Sequence, residues 1–275
     1  MRVKAAGERW ARAAGAALLL CALLAGCRSG APARARIEVR GGPTLAPVFA
    51  ELAAAYSAQP GAAEVACNFT CPPCVLLQQR SARTDFDVVA VVAADTVKAY
   101  EQRGLVEPGT ARQFGSSRLV VVTSRRNPAP VHRVEDLRNP QIKPIALADE
   151  LVGPGNAARQ ALEKLGLWNA VRARVAVEET GCATMKHVSL GSAPVAIVCE
   201  FCLHGQSADV QVAAPLPASA APPVALEAAV MATSQQRAEA VKFIDFLLSD
   251  EGQQIIGQGG ITPRSGGSQA PSAVR

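Results

Sequence analysis

These 275 residues contain no Ser-His-Asp set that a fold would converge, no Gly-rich phosphate loop and no H-E-x-x-H pair. Acyl transfer, nucleotide-dependent chemistry and zinc-protease chemistry therefore find no motif, and an enzyme is not expected. No internal repeat is present, and no second apolar run suits a membrane span. Histidine is scarce, at three. Strong charge is also missing. The formal net charge is +5, but residues 1–27 carry Arg2, Lys4, Arg9 and Arg12 against Glu8. Without them the chain is near +2, which gives no electrostatic case for nucleic acid or a polybasic membrane face.

What is present begins with an address. The basic leader runs into AAGAALLLCALLAG and ends in Leu24-Ala25-Gly26-Cys27. That ending resembles the lipobox of bacterial lipoproteins, which implies a lipid on Cys27 and a membrane anchor. An ordinary secretory signal is the alternative, and either places the mature chain outside the cytoplasm. Residues 28–36 read as a flexible tether and 265–275 as a loose tail. The intervening 37–264 is long enough for two modest domains.

The middle alternates strand and helix. IEVRG, EVACNF, FDVVAVVA, RLVVVTS, PIALAD, VRARVAVEE and APVAIVC read as strands, and PPVALEAAVMATS as extended. TLAPVFAELAAAYSAQ, VLLQQRSAR, TVKAYEQRG, GNAARQALEKLGLW and ATMKHVSLG read as helices between them. QQRAEAVKFIDFLLSDEGQQIIG reads as a closing helix pair. This order predicts an α/β fold of mainly parallel sheets flanked by helices, with a ligand at the carboxyl ends of the strands.

RLVVVTSRRNP, GNAARQALEKLGLWNAV, APVAIV and AEAVKFIDFLLSDEGQQII resemble the molybdate-binding family of periplasmic solute-binding proteins. The resemblance runs from about residue 37 to 264. It implies a two-lobed type II binding protein of an ABC importer, with a membrane permease as partner and a monomeric state. Lobe one would be 37–120 with 215–264, and lobe two 121–214. It further implies a small inorganic ligand held in the cleft by serine hydroxyls, loop amides and a tyrosine. Carried over by position, Thr44 stands for the first serine and Cys74 in TCPPCVLLQQ for the second. Val152-Gly153-Pro154-Gly155 replaces the third loop, Gly181-Cys182 falls at the fourth contact, and Cys199 falls on the tyrosine.

The departures all work against a dianion. Pro72, Pro73 and Pro154 remove amide donors, and thiols are weak donors that repel anions once ionised. Beyond Cys21 and Cys27, the six cysteines (Cys67, Cys71, Cys74, Cys182, Cys199, Cys202) fall in two windows, both at expected cleft loops. Each C-x2-C is a short two-sulfur bite, and thiolates select Zn²⁺, Cu(I), Fe–S clusters and soft metalloids.

The expected site is therefore thiolate capture of a soft metal, metalloid or metal–sulfur species. Cys71, Cys74, Cys182, Cys199 and Cys202 would hold it, with Cys67 and His204 as further donors and Thr44 and Thr70 as hydroxyl contacts. No catalytic cofactor is expected. Two alternatives stay open. One is molybdate or tungstate binding with the cysteines paired as disulfides. The other is a thiol–disulfide protein of the cell envelope, suggested by Cys-Pro-Pro-Cys at a helix start. Glu200 either adds charge to a cation site or points outward. His187 reads as helix surface, His132 as a solvated connector residue and Met185 as core.

Overall fold

The computed structural model describes residues 34–69, 85–204 and 208–264. The leader with Cys27, most of the tether, the loop and helix expected from Thr70 to Arg83 (with Cys71, Cys74 and Arg80), and the tail lie outside the described residues.

Strand β1 (Arg36–Gly41) alternates cleanly: Ile37 and Val39 are fully buried, while Glu38 and Arg40 face the other way. A 3-10 turn at Pro43–Leu45 leads into α1 (Ala46–Ala58), and β2 (Glu64–Asn68) returns parallel to β1. Strand β3 (Val88–Val92) lies on the other side of β1. Its first four residues are buried, as expected of a strand covered on both faces. Helix α2 (Ala94–Gln102), β4 (Arg112–Ser117) and β5 (Leu119–Ser124) follow. Next come β6 (Ile145–Ala148), α3 (Gly153–Lys164), α4 (Trp168–Val171), β7 (Val175–Glu178), α5 (Gly181–Ser189) and β8 (Val195–Cys199). The chain closes with β9 (Val210–Pro215), β10 (Val224–Val230), α6 (Arg237–Leu247), α7 (Asp250–Gln258) and the short β11 (Thr262–Pro263).

Two sheets result, ordered β11-β4-β10-β3-β1-β2 and β7-β6-β8-β5-β9. The alternating pattern predicts parallel pairing, and β1, β2, β3 and β6, β7, β8 obey it. Strand β10, however, runs against β3 and β4, and β5 runs against β8 and β9. The connections explain this. The chain leaves the first sheet through β4, passes only Arg118, and enters the second as β5. It returns from β9 through residues 216–223 into β10. Each incoming strand arrives from the side where the helix-linked strands end, so it must run opposite to them.

Other differences are local. Strands β4 and β9 are not anticipated by the sequence pattern; RQFGSS carries little β-branched or aromatic character. In VRARVAVEE only Val175–Glu178 is strand, because Arg174 fastens the preceding segment as helical turns. Its guanidinium donates to the carbonyls of Leu137, Asn139, Ile142 and Ala170. The helix expected through Trp168 stops at Lys164, where Gly166 takes φ +65°.

The scarce aromatics concentrate on the first sheet. Phe49 of α1 meets Phe114 at 5.6 Å and Phe243 at 6.4 Å, and Tyr56 meets Phe246 at 5.4 Å between ring centroids. These edge and tilted contacts hold α6 against α1, and α1 against β4. Met185 is 1% exposed and packs in the core, as expected. No helix among the described residues is long and apolar enough to cross a membrane.

Candidate functional site

The carboxyl ends of β1, β3, β6, β7 and β8 converge on a partly open cavity of about 50 Å³ between the two sheets. This is where open α/β sheets bind ligands. The first sheet contributes Gly42 to Thr44 and, beyond β3, Val92 and Thr96. The second contributes Val152 to Pro154, Thr180, Gly181, Cys199 and Cys202. No charged side chain among the described residues lines it.

The cleft is shut. A Cβ at Gly153 would stand 2.0 Å from the Val92 carbonyl oxygen and 2.4 Å from the Ala93 Cβ, so only glycine permits the contact. One at Gly181 would lie 3.4 Å from Thr44 Cγ2. Ala93 itself sits at φ 129° and ψ 126°, a conformation rare for a residue with a side chain. Helices α3 and α5 begin at the cavity wall, so the positive ends of their dipoles face the ligand space. Thr180 caps α5 by accepting from the Ala183 amide at 3.1 Å.

The C-x2-C at Cys199–Cys202 is fastened to the crossing between the sheets. Strand β8 ends with Cys199 opposite Leu119 of β5, and a 3-10 turn follows at Glu200–Leu203. The Glu200 amide donates to the Arg118 carbonyl at 2.9 Å, and the Phe201 amide to Ser117 Oγ at 3.4 Å. Arg118 grips the Glu200 carboxylate with two hydrogen bonds of 2.5 and 2.6 Å. Glu200 thus serves the crossing and does not face the cavity.

The four described cysteines, Cys67, Cys182, Cys199 and Cys202, are free thiols. Burial pushes the Cys199 thiol up to about 12. Cys202 is pushed well above the usual thiol range by burial, and further by Cys199 and Cys182; backbone amides of the turn offset part of this. Burial also raises Cys182. These groups are protonated at neutral pH.

The sequence-predicted residues divide among three places. Thr44, Gly181, Cys199 and Cys202 line the cavity. Cys182 and His204 open onto an adjoining cavity of about 60 Å³, with Thr44 and Cys202 forming the wall between the two. Cys67 lies outside both; its thiol donates to the Phe49 carbonyl at 3.6 Å and is pushed up to about 11, by burial and then by Glu38. Among the described residues, no three His, Cys, Asp or Glu side chains stand close enough to hold a metal ion. The described cysteines thus form a two-thiol wall with a third thiol behind it. Thr70, Cys71 and Cys74 lie outside the described residues. His187 is a surface residue bonded to Glu178 and Ser192, each at 2.8 Å. Thr96 and Thr180 were not anticipated; a threonine at the head of each helical pattern is the signal that would have found them.

A family model described as bacterial extracellular solute-binding protein matches residues 37–262. No curated protein sequence matches the chain. Among solved structures, the substrate-binding domain of a putative molybdenum ABC transporter from Clostridium difficile is similar over 84% of this chain and 100% of its own, at 20% identity and a TM-score of 0.66. The periplasmic molybdate-binding protein of Azotobacter vinelandii aligns over 83% of this chain and 100% of its own, at 18% identity and 0.69. Iron-bound HitA of Pseudomonas aeruginosa aligns over 88% and 90%, at 18% identity and 0.66. At these identities the likeness lies in the fold, two α/β lobes around a cleft. With the family match spanning nearly all the described residues, the chain belongs to the bacterial extracellular solute-binding proteins.

Proposed function

We propose that the chain is the extracytoplasmic binding component of an ABC importer, tethered by a lipid on Cys27, whose lobes close on a small thiophilic inorganic ligand. The observation that carries this reading is the pairing of Cys199 and Cys202, 1% and 8% exposed, in a cavity that no charged side chain among the described residues lines. At about 50 Å³ the cavity has room for a few heavy atoms. Thr44 and the amino end of α5 supply hydroxyl and amide contacts. Cys71 and Cys74 join the set by their position in the sequence alone, a few residues after β2. The membrane permease receives the ligand when the lobes reopen.

The helix starts at the cavity support a second reading, capture of a tetrahedral oxyanion such as the molybdate named for the Azotobacter vinelandii neighbour. The envelope thiol–disulfide alternative rests on Cys71 and Cys74, outside the described residues; Cys199 and Cys202, whose thiols burial raises, add nothing to it.

The test is to purify the mature chain without oxygen, measure bound elements by mass spectrometry and count free thiols. A stoichiometric soft metal or metalloid that disappears in Cys199→Ser/Cys202→Ser supports the thiophilic reading. Molybdate-induced thermal stabilisation that is unchanged in that double variant replaces it with the oxyanion reading.

A further inference from the structure

Resting on the thiophilic reading above, we infer that the ligand is the uncharged hydroxide of a trivalent metalloid, taken up by condensation with the thiols of Cys199 and Cys202.

Charge balance in the cavity leads to this class. Among the described residues the lining offers two thiols, three threonine hydroxyls and backbone, with no carboxylate, imidazole, ammonium or guanidinium. A divalent ion such as Zn²⁺ wants four donors in a tetrahedron. Among the described residues Cys182 and His204 face the neighbouring cavity, and no three such side chains come together. A dianion would meet no cationic side chain among the described residues, only the amino ends of α3 and α5. A neutral hydroxide avoids both costs.

The step balances without any other reactant. Two S–metalloid bonds form and two metalloid–oxygen bonds break. Each thiol proton leaves with a displaced hydroxide as water, so two waters depart and one hydroxyl remains on the metalloid. No electron moves, the oxidation state stays at three, and no net proton is released. The remaining hydroxyl has Thr44 and Thr180 as hydroxyl partners on the cavity wall, and the positive end of α5 favours its partly negative oxygen.

The experiment uses the reduced mature chain without oxygen, with arsenite as the neutral probe and Zn²⁺, Cu(I) and molybdate as comparators. Two quantities are read in weakly buffered solution: thiols protected from alkylation, located by peptide mass spectrometry, and protons released per ligand bound. The expected result is that arsenite protects Cys199 and Cys202, releases no protons, and loses this binding in Cys199→Ser and in Cys202→Ser but not in Cys67→Ser. The wild-type proton count needs no variant, so a poorly folding substitution leaves the test intact. Thiol-dependent binding of Zn²⁺ or Cu(I) with proton release, and none of arsenite, overturns this inference while keeping the thiophilic reading. Arsenite held only by Cys71 and Cys74 also overturns it. Molybdate binding that ignores every cysteine removes both.

Discussion

Arg118, the single residue between β4 and β5, holds Glu200, the residue between Cys199 and the rest of its turn, through a two-pronged ion pair of 2.5 and 2.6 Å. Both side chains are substantially exposed, at 55% and 36%. Pairs of this kind contribute about 0.2–1 kcal/mol, so the effect on global stability is small. Its consequence is positional, since the turn that follows Cys199 and carries Cys202 is clamped to the crossing between the two sheets.

Replacing Arg118 with Ala should therefore change unfolding free energy by less than about 1 kcal/mol. It should raise the alkylation rate of Cys199 and Cys202 by about tenfold, equivalent to about 1.4 kcal/mol of local opening. Time-resolved labelling with mass spectrometry reads this directly. An unchanged rate would mean that the backbone bonds from Glu200 and Phe201 hold the turn unaided.

Gly153 sets how far the lobes close. Any side chain there meets the Val92 carbonyl oxygen at 2.0 Å, and backbone cannot step aside as a flexible side chain would. Gly153→Ala should fold, because the clash arises only where the two lobes meet. It should hold the cleft ajar, with a larger radius of gyration by solution scattering and faster labelling of Cys202. A variant as compact as the parent, with its thiols equally protected, would refute the role.

Ala93, beside that contact, has an unusual backbone conformation. Its amide donates to the Ala225 carbonyl at 2.9 Å and its carbonyl accepts from Thr96, so neighbouring structure holds φ at 129°. Relief of such a conformation is worth about 1–3 kcal/mol, against about 0.5–1 kcal/mol lost to glycine flexibility. Ala93→Gly should accordingly stabilise the protein by up to about 2 kcal/mol in denaturant unfolding. A net loss of stability would show that the backbone there is relaxed.

The sequence made the lobes and the cavity address legible for a simple reason. Apolar runs such as VVAVV and VAIVC are long enough to declare buried strands, and a ligand site follows from where such strands end. Thr44, Gly181, Cys199 and Cys202 line the cavity because each stands at, or within three residues of, the end of a strand. The division of the thiols was not legible. Cys182 lies one residue into α5 and faces the second cavity, while Cys202 is placed by a turn fastened to Arg118, 82 residues from Glu200. Spacing along the chain carries no record of a contact that long-range. The reversed β5 and β10 escaped for a similar reason, since their direction is fixed by which sheet the chain has just left.

The buried thiols also set an alkaline limit to stability. Cys199 has an ordinary value of 9.0 when exposed and about 12 when folded. Between those values the unfolded chain gives up its proton while the folded chain keeps it, so the unfolded state gains and stability falls as pH rises. Below pH 9 both states are protonated, and this contribution is complete and constant. Above it, one such group removes about 1.4 kcal/mol per pH unit. Cys67, Cys182 and Cys202 shift in the same direction and add to the fall. Denaturant unfolding of the reduced chain should give a flat free energy from pH 7 to 8 and a steep decline above 9. Cys199→Ala should start lower, because a small cavity replaces the sulfur, yet decline less steeply by about one proton's worth of slope. Parallel curves for the two proteins would mean that Cys199 reaches solvent, and with it the buried, uncharged character of the site would go.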